Sequence, residues 1–290
     1  MELRNICCSL VGLLLLFLPL TETLHAEELR TGRPIRIGLT PVFLDHEPEF
    51  NNEWQLYLEK KLGQPVVFVQ RGSYREIVEL LHEEKLDFAW LSGYPYVRSK
   101  DVMQLVAVPL YKRKPLYESY IIVPASDNQT RSINDLRGKI FTFSDPDSNS
   151  GYLYVVHLLS EHGENPSSFF GRTFFAWSHV NVIEAVGAGL AHGGAVDGYV
   201  WDTLELSHPE LTTKTRVLSK SPQFGNAPFV AGRAVSKIEL ARFQQALIRM
   251  MHDEIGLHLL EQLNLSGFVY ADERLYDAIE KMARSVKHEP

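Results

Sequence analysis

Short apolar runs alternate with amphipathic stretches along most of the chain. Residues 34–39 alternate as a strand does, and 51–62 place Trp54, Tyr57 and Leu58 on one helical face. A second strand is expected at 66–69. Ser73 then caps a helix that runs to about Glu84, with Ile77, Leu80 and Leu81 inward and Glu76 three residues after the cap. Residues 87–91 form a third strand. Strand–helix–strand–helix–strand is the pattern of a parallel sheet covered by helices. Strand-like runs follow at 104–111 and 118–123. A second series is expected downstream: strand 139–143, helix 151–162, strand 172–176, helix 181–190 and strand 194–200. After Pro222 come a strand at 229–233, a helix at 236–251 and a last helix at 272–286.

Two such series predict two α/β lobes. The reading places a leader at 1–26, the first lobe at 27–124 and 225–290, and an inserted second lobe at 125–224. The chain crosses out near Val123 and back near Pro228, which makes a hinge. A cleft between lobes is a common place for a small ligand. In open sheets the ligand lies beyond the carboxyl ends of the strands. The loops expected there are Thr40-Pro41, 92–96, 144–150, Ser178-His179 and 197–201.

The leader changes the compartment. Residues 6–20 are almost uninterruptedly apolar, Arg4 precedes them, and Leu24-His25-Ala26 ends in a small residue. This is the pattern of a secretory signal peptide cleaved after Ala26. Cys7 and Cys8 are the two cysteines of the 290-residue chain, and both fall in the leader. The exported chain therefore has no disulfide, thiolate metal site or cysteine nucleophile. The net charge of −7 comes with no basic run or stripe, so nucleic acid is not an expected partner. No cofactor-binding motif occurs: there is no His-Glu-x-x-His and no Gly-x-x-x-x-Gly-Lys loop. No Gly-x-Ser-x-Gly surrounds any serine, so a Ser148, His157, Asp202 hydrolytic triad has no sequence support.

The segment Ser144-Asp145-Pro146-Asp147-Ser148-Asn149-Ser150-Gly151 carries the most specific chemistry. It joins a strand to a helix through small hydroxyl and amide residues. The first N–H groups of a helix lack internal acceptors. With the dipole and flanking hydroxyls they form an anion site. The same residues also serve as a plain N-cap, a reading that stands beside the anion site. His179, after Ser178, reads equally as a helix-start cap or a ligand contact. Trp90 reads as core.

The chain resembles the periplasmic solute-binding proteins of phosphate, phosphite and phosphonate ABC importers. The resemblance covers nearly all of 34–285. It is carried by Asp87-Phe88-Ala89-Trp90-Leu91 with Tyr96-Val97, by 144–151, by Ser178-His179 before the 182–188 helix, by Ala195 through Val200, and by Ser221-Pro222 with Pro228-Phe229-Val230. It implies a type II two-lobe fold, each lobe a mixed sheet flanked by helices with a ligand cleft at the hinge. It also implies a non-enzymatic, periplasmic, monomeric protein without cofactor. The implied partners are a small anionic solute and an ABC permease, or a membrane receptor such as a sensor kinase in a sensory variant with a carboxylate, sulfonate or aromatic or cationic ligand. Ser148, Asn149, Ser150, Gly151 and His179 take the anion-binding roles, with Asn149 where threonine is usual. Tyr94, Tyr96, Thr40, Tyr199 and Asp197 are expected around the cleft. An imidazolium at His179 would make anion affinity weaken at high pH. Aminophosphonate binders carry acids at the positions of Tyr199 and Ala227, so the ammonium half of the site is expected to be lost.

Overall fold

The computed structural model describes residues 32–40, 48–270 and 272–286. The leader expected at 1–26 and Pro41 lie outside the described residues. Thirteen strands among the described residues form two large sheets and one small one. The strands are β1 (Ile35–Leu39), β2 (Val66–Gln70), β3 (Phe88–Trp90), β4 (Met103–Leu110), β5 (Leu116–Tyr117) and β6 (Ser119–Pro124). They continue with β7 (Ile140–Phe143), β8 (Arg172–Phe175), β9 (Gly193–Asp197), β10 (Thr215–Lys220), β11 (Phe224–Gly225), β12 (Phe229–Gly232) and β13 (Gly267–Val269).

The first sheet has the order β13-β4-β12-β3-β1-β2 and the second β10-β6-β9-β7-β8. Both are mixed. In the first, β1 runs parallel to β2 and β3, while β12 pairs antiparallel with β3 and β4. In the second, β7 runs parallel to β8 and β9, while β6 is antiparallel to β9 and β10. With helices on these sheets, the fold is the two-lobe α/β arrangement expected from the pattern.

The apolar runs explain the central strands. Every residue of β3, β9 and β12 is buried, as in strands covered on both faces. In the first sheet the rings interlock around Trp54 of the Pro48–Leu62 helix. Trp54 meets Trp90 edge-on at 5.9 Å and Phe229 at 6.0 Å, and tilts over Phe68 at 5.4 Å. Trp90 stacks on Phe229 at 5.2 Å, so it is core as expected. In the second sheet a Cβ on Gly194 would approach Val182 Cγ1 to 2.6 Å. The bare glycine lets the His179–Gly187 helix lie close on β9.

The crossing between sheets differs from the expectation. β6, which the sequence reading left in the first lobe, hydrogen-bonds within the second sheet. The chain therefore leaves the first sheet before Ser119. The two crossing segments pair with each other, β5 antiparallel to β11, as a small sheet between the large ones. Asn226, fully buried, fastens this ribbon. Its N–H donates to Pro115 O at 3.0 Å, and its carbonyl accepts from the Tyr276 hydroxyl at 2.8 Å. A second difference concerns 194–200. The strand ends at Asp197, whose carboxylate accepts the Tyr199 N–H at 2.8 Å and starts the Gly198–Ser207 helix. The apolar run continues across the boundary because both sides are buried.

Trp54 is the test of this core. Its indole N–H is buried without an acceptor. Trp54→Phe, which removes that orphan donor and keeps a ring, is expected to cost well under the ~3–5 kcal/mol of Trp54→Ala. Urea unfolding of both variants measures the ratio; equal costs would show that the ring contacts do not dominate.

Candidate functional site

β7 ends in a loop whose shape is set by hydrogen bonds to one carboxylate. Asp145 accepts the Asp147 N–H on Oδ1 at 2.7 Å and the Tyr74 N–H on Oδ2 at 3.1 Å. Tyr74 opens the Tyr74–His82 helix of the first lobe, so this acid joins the loop to the opposite sheet's layer. Burial pushes the Asp145 carboxyl up, and the two amides pull it back down. Ser148 then caps the next helix, its Oγ accepting the Gly151 N–H at 2.9 Å. The helix opens with a wide turn, Asn149–Leu153, before the α-helical Tyr154–Ser160. A Cβ on Gly151 would run into Ser144 Oγ and lie 3.0 Å from Ser148 Oγ, so only glycine fits.

The turn is buried and tied from several sides. The Asn149 N–H donates to Ser92 Oγ at 3.1 Å, and Asn149 Nδ2 donates to the Tyr117 hydroxyl at 2.8 Å. Ser119 Oγ donates to the Ser150 carbonyl at 2.6 Å, and the Ser150 side chain hydrogen-bonds Tyr117. Ser144 Oγ and Asn149 Oδ1 are buried without partners. The cap is thus present: Ser148 caps through its oxygen, which leaves its O–H proton as a donor. As the second residue of the helix, Ser150 also has an N–H with no acceptor inside the turn.

His179 and Asp197 meet beneath this turn. His179 is 2% exposed and opens its helix behind the Ser178 cap. Its Nδ1 accepts the Asp197 N–H at 3.0 Å, which leaves the proton on Nε2. Burial pulls the imidazole down to about 3, so it is neutral. The expected imidazolium is therefore replaced by a neutral N–H donor. Asp197 is 6% exposed, and burial pushes its carboxyl up to about 7, with backbone hydrogen bonds from Tyr199 and Val200 opposing.

The aromatic residues divide. Thr40 Oγ1 donates to Trp90 O at 3.2 Å and hydrogen-bonds the side chain of Tyr74. Tyr74 and Tyr117 both lie within electrostatic reach of Asp197, and burial raises both phenols. These two tyrosines border the turn, and sequence reasoning missed them. Tyr74 was absorbed into a helix start, and Tyr117 lies in the crossing ribbon, where no periodicity marks it. Tyr96 meets Tyr276 edge-on at 5.0 Å, beside Lys100, Glu273 and Glu280. Tyr94 lies under the Arg98 guanidinium at 5.4 Å. The Tyr199 hydroxyl donates to Leu263 O at 2.6 Å, a packing contact rather than a free group. Trp177 is 49% exposed, and the Trp201 indole N–H donates to Thr215 Oγ1 at 3.1 Å. Ser148, His157 and Asp202 do not converge: His157 contacts Ser285, and Asp202 contacts Tyr111, Tyr120 and Lys112. Among the described residues no group of His, Cys, Asp and Glu could hold a metal ion.

A two-lobe fold with a buried, donor-rich helix start between the sheets defines a solute-binding protein. Residues 37–276 match the family described as ABC transporter, phosphonate, periplasmic substrate-binding protein. The chain belongs to that family, whose members bind solutes and are not enzymes. It is 28% identical over 218 residues to the phosphate-import protein PhnD of Mycolicibacterium smegmatis, covering 68% of this chain and 67% of the relative. It is 26% identical over 226 residues to the phosphonates-binding periplasmic protein of Escherichia coli, covering 73% of this chain and 64% of that one. The chain thus spans about two thirds of the length of these relatives. In fold it is similar to PhnD1 of Prochlorococcus marinus in complex with methylphosphonate. There the TM-score is 0.77 at 20% identity, over 86% of this chain and 97% of that one.

His179 and Asp197 make opposite contributions to stability. The unfolded chain protonates His179 near 6.5 and the folded one only near about 3, so this group's stabilisation is full above 6.5 and lost as pH falls. Asp197 holds its proton up to about 7 when folded but only to 3.8 when unfolded, so its contribution is lost as pH rises through that window. Between 3.8 and 6.5 the two slopes cancel. Asp197→Asn is expected to make stability climb with pH across this range relative to wild type, and His179→Gln to make it fall. Urea midpoints at a series of pH values decide; unchanged slopes in both would show that neither group is shifted.

Proposed function

We propose that this protein captures a small oxyanion of the phosphonate, phosphite or phosphate class by closure of the two lobes and delivers it to an ABC permease. The observation that supports the reading best is the Ser148–Gly151 turn. It offers hydroxyl and backbone donors inside a buried junction where lobe-one groups, the Tyr74 N–H and Ser92 Oγ, already grip the same loop. A ligand seated on this turn and on the His179 Nε2–H is held by neutral donors. Water exclusion strengthens such bonds to an anion. Tyr74 and Tyr117 supply hydroxyls from the opposite side, and Asp197 closes the floor. Similarity to a phosphate-import protein and a phosphonates-binding protein favours a phosphorus oxyanion.

The ligand class is narrowed by charge. The Tyr199 hydroxyl is engaged, and Ala227 carries no acid; its carbonyl accepts the Trp90 indole N–H at 2.9 Å. Asp197 holds its proton below about 7 and gives no carboxylate there for a ligand ammonium. Plain phosphonate, phosphite or phosphate is therefore preferred over the amino form. In this reading the protein acts as a monomer in the periplasm after cleavage of its leader near Ala26.

Calorimetric titration with methylphosphonate, phosphite and phosphate tests this. Ser150→Ala and His179→Ala should each weaken binding by roughly 1–3 kcal/mol, and Tyr96→Phe should leave it unchanged. Loss on Tyr96→Phe with none on Ser150→Ala would place the ligand elsewhere.

Ionisation of Asp197 puts a negative charge beside the bound anion, so affinity should fall as pH rises through about 7. Asp197→Asn should remove that fall. The difference between the two proteins separates Asp197 from the ligand's own ionisation, and identical pH profiles would contradict the assignment.

A further inference from the structure

Beside the anion turn lies a contact that ligand binding does not use. Asp147 is 8% exposed, one residue before the Ser148 cap. Its Oδ1 accepts from Arg98 Nη1 at 2.9 Å, and its Oδ2 lies 3.8 Å from Arg75 Nε. Both arginines belong to helices of the first lobe. Arg75 follows Tyr74 at the start of one, and Arg98 ends the Gly93–Arg98 helix. The Arg98 guanidinium carbon lies over the Tyr94 ring, 5.4 Å from its centroid. A cavity of about 200 Å³ lies against this pair, lined by Arg75, Val78, Glu79, Pro95, Arg98, Ser99 and Asp147.

We propose that Arg98 and Asp147 form an interlobe latch that positions the anion turn and sets affinity without setting ligand choice. This rests on the reading of the turn as the ligand site. The geometry carries it in three steps. Asp147 is rigidly joined to the turn, because its N–H is fixed by Asp145 and its neighbour is the helix cap. Its charge partners lie on the other lobe, so the pair forms only when the lobes approach. The Gly93–Arg98 helix grips the loop at both ends: Ser92, its cap, accepts the Asn149 N–H at 3.1 Å, and Arg98, its last residue, donates to Asp147 at 2.9 Å. A pair so placed adds the same free energy to every liganded closed state. It touches no ligand atom, so it cannot tell one oxyanion from another. The cavity beside it lets the arginines swing out when the lobes part. Arg98 and Asp147 are thus positioning residues, and Tyr94, expected at the ligand, serves instead as the platform for Arg98.

The test uses the full chain purified from the periplasm, with methylphosphonate and inorganic phosphate as separate calorimetric probes. Arg98→Gln and Asp147→Asn should each weaken both ligands by a common factor of roughly 3- to 10-fold, the range for a half-exposed charge pair. The double variant should be no weaker than the worse single one. Asp147→Glu should retain most of the affinity. Additive losses, or a factor that differs between the two ligands, would overturn the latch. Should wild type bind neither probe, the oxyanion reading fails by itself. Small-angle scattering of the ligand-free proteins then judges the latch separately. A larger radius of gyration in both single variants supports it, and an unchanged radius refutes it.

Discussion

The carboxylate of Asp145 is the constraint from which the site follows. An acid beside a turn proposed to bind an anion is at first sight a contradiction, since like charges repel. Its two oxygens are, however, turned to backbone amides, one in its own loop and one at Tyr74 on the other lobe. Amide hydrogen bonds to an ionised group are among the stronger neutral–charged contacts. They counter part of the burial, which on balance still raises the acid. The same bonds fix where Ser148 caps and where Tyr74 begins its helix. Remove this acceptor and two buried N–H groups lose their partner while the loop loses its anchor to the first lobe.

Much of this was legible in the chain. Ser73, Ser148 and Ser178 each precede helical periodicity, and each is a cap whose oxygen accepts the N–H three residues on. The strands expected at 34–39, 66–69, 87–91, 104–111, 118–123, 139–143, 172–176 and 229–233 match observed ones within a residue, whereas the edge strands β10 and β13 had no expected counterpart. What was not legible depends on tertiary direction. The run Ala195 to Val200 is apolar throughout, and only the Asp197 cap, a local hydrogen bond, splits it into strand and helix. Residues 119–124 are equally apolar in either lobe, and their pairing with β9 and β10 decides which sheet they join. Tyr94 and Tyr96 share a short helix yet face Arg98 and Tyr276, because neighbouring packing, not spacing, selects their direction. Tyr74 and Tyr117 reach the site for the same reason, with no pattern to announce them.

Burial acts on the two titratable groups of the floor with one cause and opposite signs. Desolvation disfavours charge, so it lowers the imidazole of His179 and raises the carboxyl of Asp197. Both become neutral over the same acidic range. The Asp197 N–H to His179 contact then fixes the tautomer and aims Nε2–H as a donor. A buried acid without a basic partner would be costly if it had to stay ionised. Holding its proton removes most of that cost and keeps a negative charge from the turn.

A floor of neutral groups has a consequence for binding. Arg75 and Arg98, which flank the turn, are committed to Asp147, so the anion in the proposed complex is met by hydroxyls, amides and an imidazole rather than by a guanidinium. Neutral donors compete poorly with water for an exposed anion and well in a dry, low-dielectric site. Affinity of that kind depends on exclusion of solvent, and solvent is excluded only when Tyr74, Ser92 and Arg98 of the first lobe reach the loop of the second. Ligand capture and lobe closure are then one event, and the strength of the contacts between lobes becomes part of the strength of the ligand site.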